Sequence, residues 1–182
     1  MPKEEPIHLD PYSPKWPAKF EKEKHFIENT LGSWIHIGVE HVGSTAIPGV
    51  SAKPIIDIMV GVKNLEEAKA LIPLLEQTGY KYFPYKPELM HWFCKPSPEH
   101  REFHLYLMEP NHAEWQALLA FRNYLRTHPD KAKEYVDLKT KLANRFKNDR
   151  ETYTQAKTEF IRSAVAEALR ASSNCNRLRQ KP

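Results

Sequence analysis

One charge interrupts the most apolar stretch of this sequence. Asp57 sits inside Ile55–Val62, a run with no other charged side chain. A carboxylate buried among apolar side chains without a partner either loses several kcal/mol or takes up a proton. Asp57 therefore calls for a cation, a metal, or a mouth open to a ligand. Just upstream, Gly43-Ser44 begins the loop GSTAIPG. A Gly-Ser turn of this kind presents backbone N–H groups that hold phosphates. An Asp that merely caps a turn is the alternative for the same residue.

The elements that must position these residues follow from periodicity. Ile35, Ile37 and Val39 alternate with His36, Gly38 and Glu40, which predicts a half-buried strand leading into the turn. Pro48-Gly49 marks a tight turn, and Ile55–Val62 reads as a buried strand. Ahead of them, Met1–Pro17 is extended and rich in Pro and charge. Trp16, Phe20, Ile27 and Leu31 then recur at helical spacing, predicting a helix over Lys15–Leu31 that stops at Gly32. Leu65, Ala68, Leu71, Ile72 and Leu75 predict a second helix, kinked or broken early by Pro73. Tyr80–Tyr85 and His91–Cys94 read as a hairpin that Pro84, Pro87, Pro96 and Pro98 confine to sheet edges. Glu102–Met108 alternates and reads as a strand.

From Asn111 the pattern turns helical. Asn111 with Glu114 resembles a capping box. Trp115, Leu118, Leu119 and Leu125 form one apolar stripe, and Pro129 restarts the chain at a first-turn position. Tyr135, Leu138, Leu142 and Phe146 form the next stripe, and Tyr153, Ala156, Phe160, Ile161, Ala164 and Leu169 the last. The division is thus an α+β domain over residues 1–110, a helical annex over 111–170, and a disordered basic tail over 171–182.

Composition narrows the function classes. The chain of 182 residues has a 41% hydrophobic fraction, enough for one real core. Its net charge of +4 suits an anionic ligand without demanding nucleic acid. Cys94 and Cys175 form no CxxC pair, which removes the zinc-finger reading and fits a reducing compartment. No apolar run approaches the roughly 18 residues of a membrane span, and no signal-peptide pattern opens the chain. A soluble, cytoplasmic protein without membrane contact is the expectation. Oligomeric state is not legible.

Longer motifs carry a resemblance. Asp10-Pro11-Tyr12 with Trp16, the run Glu40–Val50, Ala52–Ile58, His104-Leu105, Phe121–Pro129 and Asp149–Ile161 together resemble the GrpB family (UPF0157) over roughly residues 8–165. That family is placed in the nucleotidyltransferase superfamily. The resemblance implies an α+β fold of the DNA polymerase β type, with a mixed sheet and helices. A similar domain is fused to dephospho-CoA kinase in some bacteria. In the superfamily a Gly-Ser turn holds the triphosphate, and three carboxylates hold two Mg²⁺ ions for in-line phosphoryl transfer.

By that resemblance Gly43, Ser44 and Thr45 bind phosphate and Asp57 is the first carboxylate. The second acid position holds Met59, a thioether that Mg²⁺ does not choose. On the later strand His104 stands where the third acid belongs, with Glu102 and Tyr106 on the same face. Asp57 and His104 make a mixed oxygen–nitrogen pair, closer to what Mn²⁺, Zn²⁺ or Fe²⁺ accepts than to what Mg²⁺ needs, and a divalent ion, Mg²⁺ or Mn²⁺, is expected to be held weakly until nucleotide phosphates complete its shell. The alternative is that His104 simply hydrogen-bonds Asp57. Lys53 and Arg101, at the starts of the two strands, and His41 beside the turn are further phosphate-binding candidates. Arg122 and Arg126 share one helix face and either close the site or pair with acids. Tyr85, His91 and Trp92 either stack a base or fill the core. The expected function is binding of a nucleotide or related phosphorylated small molecule, with metal-assisted nucleotidyl transfer. A degenerate sensor domain and a single-metal phosphotransferase or hydrolase are the alternatives.

Overall fold

The two strands with a polar residue on an otherwise apolar face lie side by side. In a computed structural model, which describes residues 6–179, strand β2 (Ile56–Gly61) pairs in parallel with β5 (Arg101–Met108). Asp57 stands directly opposite His104. Strand β1 (Ile37–Val42) adds antiparallel to β2. Strands β4 (His91–Pro96) and β3 (Lys81–Phe83) extend the other edge, giving a five-stranded mixed sheet in the order β1-β2-β5-β4-β3.

Side-chain alternation sends the two faces of the sheet to different helices. Ile56, Ile58, Val60, Phe103, Leu105 and Leu107 point to one face. Helix α1 (Lys15–Leu31) covers it with Trp16, Phe20, Ile27 and Leu31, beside α2 (Leu65–Ala68) and α3 (Leu71–Gln77). On the opposite face Met59, Val42 and Met108 pack against Trp115 of α4 (Ala113–Thr127). Helices α5 (Pro129–Arg145), α6 (Arg150–Gln155) and α7 (Thr158–Arg179) follow. Phe121, Leu125, Tyr135 and Ala164 from this bundle enclose Ile47 and Val50 of the GSTAIPG loop. Helices therefore flank both faces of the sheet.

The bounds of α1 are those its periodicity predicts, and Pro73 falls in the first turn of α3 after the break that separates it from α2. Four local expectations are corrected. The predicted alternation in β1 places Ile37 inward, yet Ile37 is 51% exposed while Val39 is buried. A register shift between the two, at positive-φ Gly38, changes the phase. Strand β4 is interior and not an edge, because Pro96 lies at its last position and removes no central ladder bond. The cap of α4 is His112, whose ring accepts the Glu114 N–H, and not Asn111. Finally, helix α7 continues to Arg179, so most of the predicted disordered tail is helical backbone, with residues 180–182 outside the described range.

Candidate functional site

Asp57 occupies the middle of a fixed triad. His104 Nδ1 lies 2.9 Å from Asp57 Oδ1, and the Tyr106 hydroxyl donates to the same oxygen at 2.9 Å. Burial alone would raise the Asp57 carboxyl. The hydrogen bond and charge of His104, the Tyr106 hydroxyl and the charge of Lys53 outweigh it and hold the group below the usual carboxylate range. An ionised carboxylate only accepts, so Nδ1 of His104 carries the proton and Nε2 the lone pair when the ring is neutral. That Nε2 is buried with no hydrogen-bond partner among the described residues.

The Gly-Ser turn is built around the other carboxylate oxygen. Gly43 has φ 71°, a left-handed conformation that disfavours side chains. A Cβ placed there would sit 2.2 Å from Asp57 Oδ2. Only glycine lets the backbone approach the carboxylate this closely. Ser44–Ala46 then form one 3-10 turn. Thr45 is fixed from beneath: its hydroxyl donates to Ile55 O at 3.1 Å and contacts His41 Nε2 at 3.0 Å. Because the one Thr45 proton goes to Ile55, the His41 Nε2–H must donate to Thr45 Oγ1.

His41 is thus a support and not a pocket wall. It is buried, stacked on Phe20 at 4.7 Å, and burial pushes its pKa down to about 4. Arg101 also stands apart from the pocket. Its Nε donates to Pro98 O and its guanidinium lies over the Trp92 ring. Arg122 and Arg126 act as latches from α4. Arg122 Nη1 donates to Glu40 at 2.6 Å and to His41 O at 2.9 Å, and Arg126 Nε donates to Ala46 O at 2.8 Å. His91 bonds Leu65 O within the fold, and Tyr85 is exposed.

What remains is a pocket of about 220 Å³ between the sheet and the helical half. Ser44, Thr45, Lys53, Asp57, His104 and Tyr106 line it from the α+β side. Lys139, Tyr153, Thr154 and Lys157 close it from α5, α6 and the segment joining α6 to α7. Sequence reasoning missed Lys139 and Lys157 as site residues. Lys139 is 1% exposed and donates a short bond to Ser51 O. Lys157 and Lys53 lie 4.2 and 5.6 Å from the same Tyr153 ring. Burial, reinforced by neighbouring positive charge for the first two, lowers Lys53 to about 8, Lys139 to about 7 and Lys157 to about 8. Burial also lifts the Tyr135 phenol to about 12, against the pull of the nearby Ser44 hydroxyl.

The donor set does not fit a resident divalent ion. Among the described residues no three His, Cys, Asp or Glu side chains converge to hold one. Met59, in the second acid position, is fully buried among Val42, Met108 and Trp115. Asp57 and His104 bond each other instead of opening toward a common ion, and the three lysines oppose added positive charge.

A five-stranded mixed sheet joined to a helical half, with a cleft between them lined by three lysines and one carboxylate, defines an α+β protein. The chain belongs to the GrpB family: the family model described as GrpB protein matches residues 6–167. A UPF0157 protein of Pseudomonas aeruginosa is 36% identical over 170 residues, covering 91% of this chain and 69% of the relative. The crystal structure of conserved protein GrpB from Enterococcus faecalis is similar at a TM-score of 0.83 and 33% identity, covering 91% of this chain and 99% of that one. A dephospho-CoA kinase of Mycolicibacterium paratuberculosis is 26% identical over 188 residues, which take in 90% of this chain and 46% of the kinase. No helix among the described residues is long and apolar enough to cross a membrane.

Proposed function

We propose that the pocket over Asp57 binds a nucleotide or a related phosphorylated small molecule. The observation that carries this reading is the convergence of Lys53, Lys139 and Lys157 on a pocket lined by a single carboxylate. Among the described residues none of the three makes an ion pair, so an anionic ligand supplies the charge the fold leaves unmatched. The hydroxyl of Ser44 and the Gly43-Ser44-Thr45 backbone add donors of the kind that hold phosphate. The similarity to a dephospho-CoA kinase supports a ligand of nucleotide type.

The nucleotidyltransferase resemblance adds a reaction to the binding. An acceptor hydroxyl attacks the α-phosphorus of a nucleoside triphosphate, and the bond to pyrophosphate breaks. His104 Nε2, whose ring Asp57 orients, takes the hydroxyl proton. A second reading, a binding or sensing domain without turnover, is favoured by Met59, which leaves the second acid position apolar and sealed. Thermal-shift and calorimetric titration with nucleoside triphosphates and coenzyme A precursors test binding. Pyrophosphate release from the bound triphosphate then separates the readings. A triphosphate that binds without any release supports the sensor, and no binding by any of these ligands refutes both.

A further inference from the structure

We infer that Lys53, Lys139 and Lys157 neutralise the ligand's phosphates directly, so that the pocket takes a metal-free polyphosphate chain in preference to its Mg²⁺ complex. This rests on the phosphate-binding reading of the same pocket. Three features of the site lead to it.

The first is the balance of charge. One carboxylate and three lysines line the pocket, and Asp57 Oδ1 is already engaged by His104 and Tyr106. With the lysines protonated the walls carry an excess of two positive charges. A metal-free polyphosphate chain leaves all its oxygens open to the three ammonium groups, whereas Mg²⁺ occupies oxygens of the same chain and stands as a further positive charge beside the lysines. The second is the place of the missing acid. Met59 is fully buried in an apolar cluster and offers an incoming ion no hard oxygen. The third is size. A pocket of about 220 Å³ is smaller than the ~300–1,000 Å³ that enclose a whole drug-sized ligand. It encloses a chain of phosphates, and a sugar and base lie beyond its rim.

The lysines are also placed to grip one chain. Lys53 and Lys157 share the Tyr153 ring, and Lys139 is held over the Tyr135 ring at 4.7 Å by its bond to Ser51 O. Their positions are fixed before the ligand arrives, which lowers the ordering cost of binding.

Calorimetric titration with inorganic tripolyphosphate and with ATP tests this, each in EDTA and in excess Mg²⁺. The expected result is binding in EDTA, at least tenfold weaker binding in Mg²⁺, and a further tenfold loss in EDTA for Lys53→Met or Lys157→Met. Lys133→Met, on the exposed face of α5, is the control expected to change nothing. Thermal melts of each variant exclude loss of fold. Binding that requires Mg²⁺, or that is as tight with it as without, overturns the inference while leaving the phosphate reading standing. Binding in EDTA that both lysine variants retain in full overturns the assignment to these side chains. Silence in all titrations overturns the inference and the phosphate reading together.

Discussion

Replacing Lys139 with Met is expected to make the free protein more stable at neutral pH and less stable at high pH. Lys139 is 1% exposed, and burial with the charges of Lys157 and Lys53 lowers its ammonium from 10.5 to about 7. In the unfolded chain the same side chain keeps its proton to about pH 10.5. At about 1.4 kcal/mol per tenfold difference in proton affinity, the buried amine costs on the order of 5 kcal/mol of stability at pH 7. The unfolded chain binds more protons between pH 7 and 10.5, so wild-type stability rises with pH across that window. Met fills similar space without the amine but abandons the bond to Ser51 O, a loss of about 1–3 kcal/mol. Lys139→Met should therefore gain about 2–4 kcal/mol at pH 7, lose that advantage as pH rises, and fall below wild type near pH 10. Urea unfolding at pH 7, 8.5 and 10 measures this. A variant less stable by the same amount at all three values would refute the charge argument and make Lys139 a structural amine. On the phosphate-binding reading proposed above, this gain is the counterpart of weakened anion binding, a trade common at functional sites.

Three further outcomes are expected. Gly43→Ala should destabilise the protein by about 2 kcal/mol or more in chemical denaturation, because it combines a positive φ with a Cβ 2.2 Å from Asp57 Oδ2. His41→Gln should flatten the acid limb of stability. Wild type binds fewer protons folded than unfolded between about pH 4 and 6.5, so it loses about 3 kcal/mol as pH falls through that window, which denaturant melts at pH 7 and 4.5 will show. Arg122→Met should cost about 2–3 kcal/mol in the same assay, since it breaks the Glu40 pair and leaves His41 O without this donor.

Local physics made some elements readable and hid others. The bounds of α1 and the break ahead of Pro73 follow from spacing and backbone chemistry within a few residues. Asp57 was legible because a charge in an apolar strand demands a partner, and His104 because strand alternation and family pattern place it on the same face. Lys139 and Lys157 were not, unlike Lys53, since Lys in an amphipathic helical half is ordinarily solvated. A signal did exist for Lys139. It lies four residues from each of Tyr135 and Ala143, and these with Ala132 form the buried stripe of α5. The stripe expected from Tyr135, Leu138, Leu142 and Phe146 is rotated from this one, since apolar content outvoted a lone lysine. His41 and Arg101 failed as pocket residues for a different reason. Nearness along the chain fixed their strands, but the rings of Phe20 and Trp92, distant in sequence, set their surroundings.

The bond from Lys139 to Ser51 joins residues 88 positions apart, and it has a consequence for the order of events during synthesis. A ribosome makes the whole sheet, with Asp57, His104 and the Gly43 turn, before it makes α5. Contacts so distant in sequence form late. A nascent chain therefore displays the carboxylate and its histidine while every lysine from the helical half is still unmade. On the phosphate-binding reading proposed above, the site is complete only when the last third of the chain has docked, and Arg122 and Arg126 fasten that third to the turn it faces. On that reading a chain released early carries the triad without Lys139 and Lys157, so completion of the chain and completion of the site coincide.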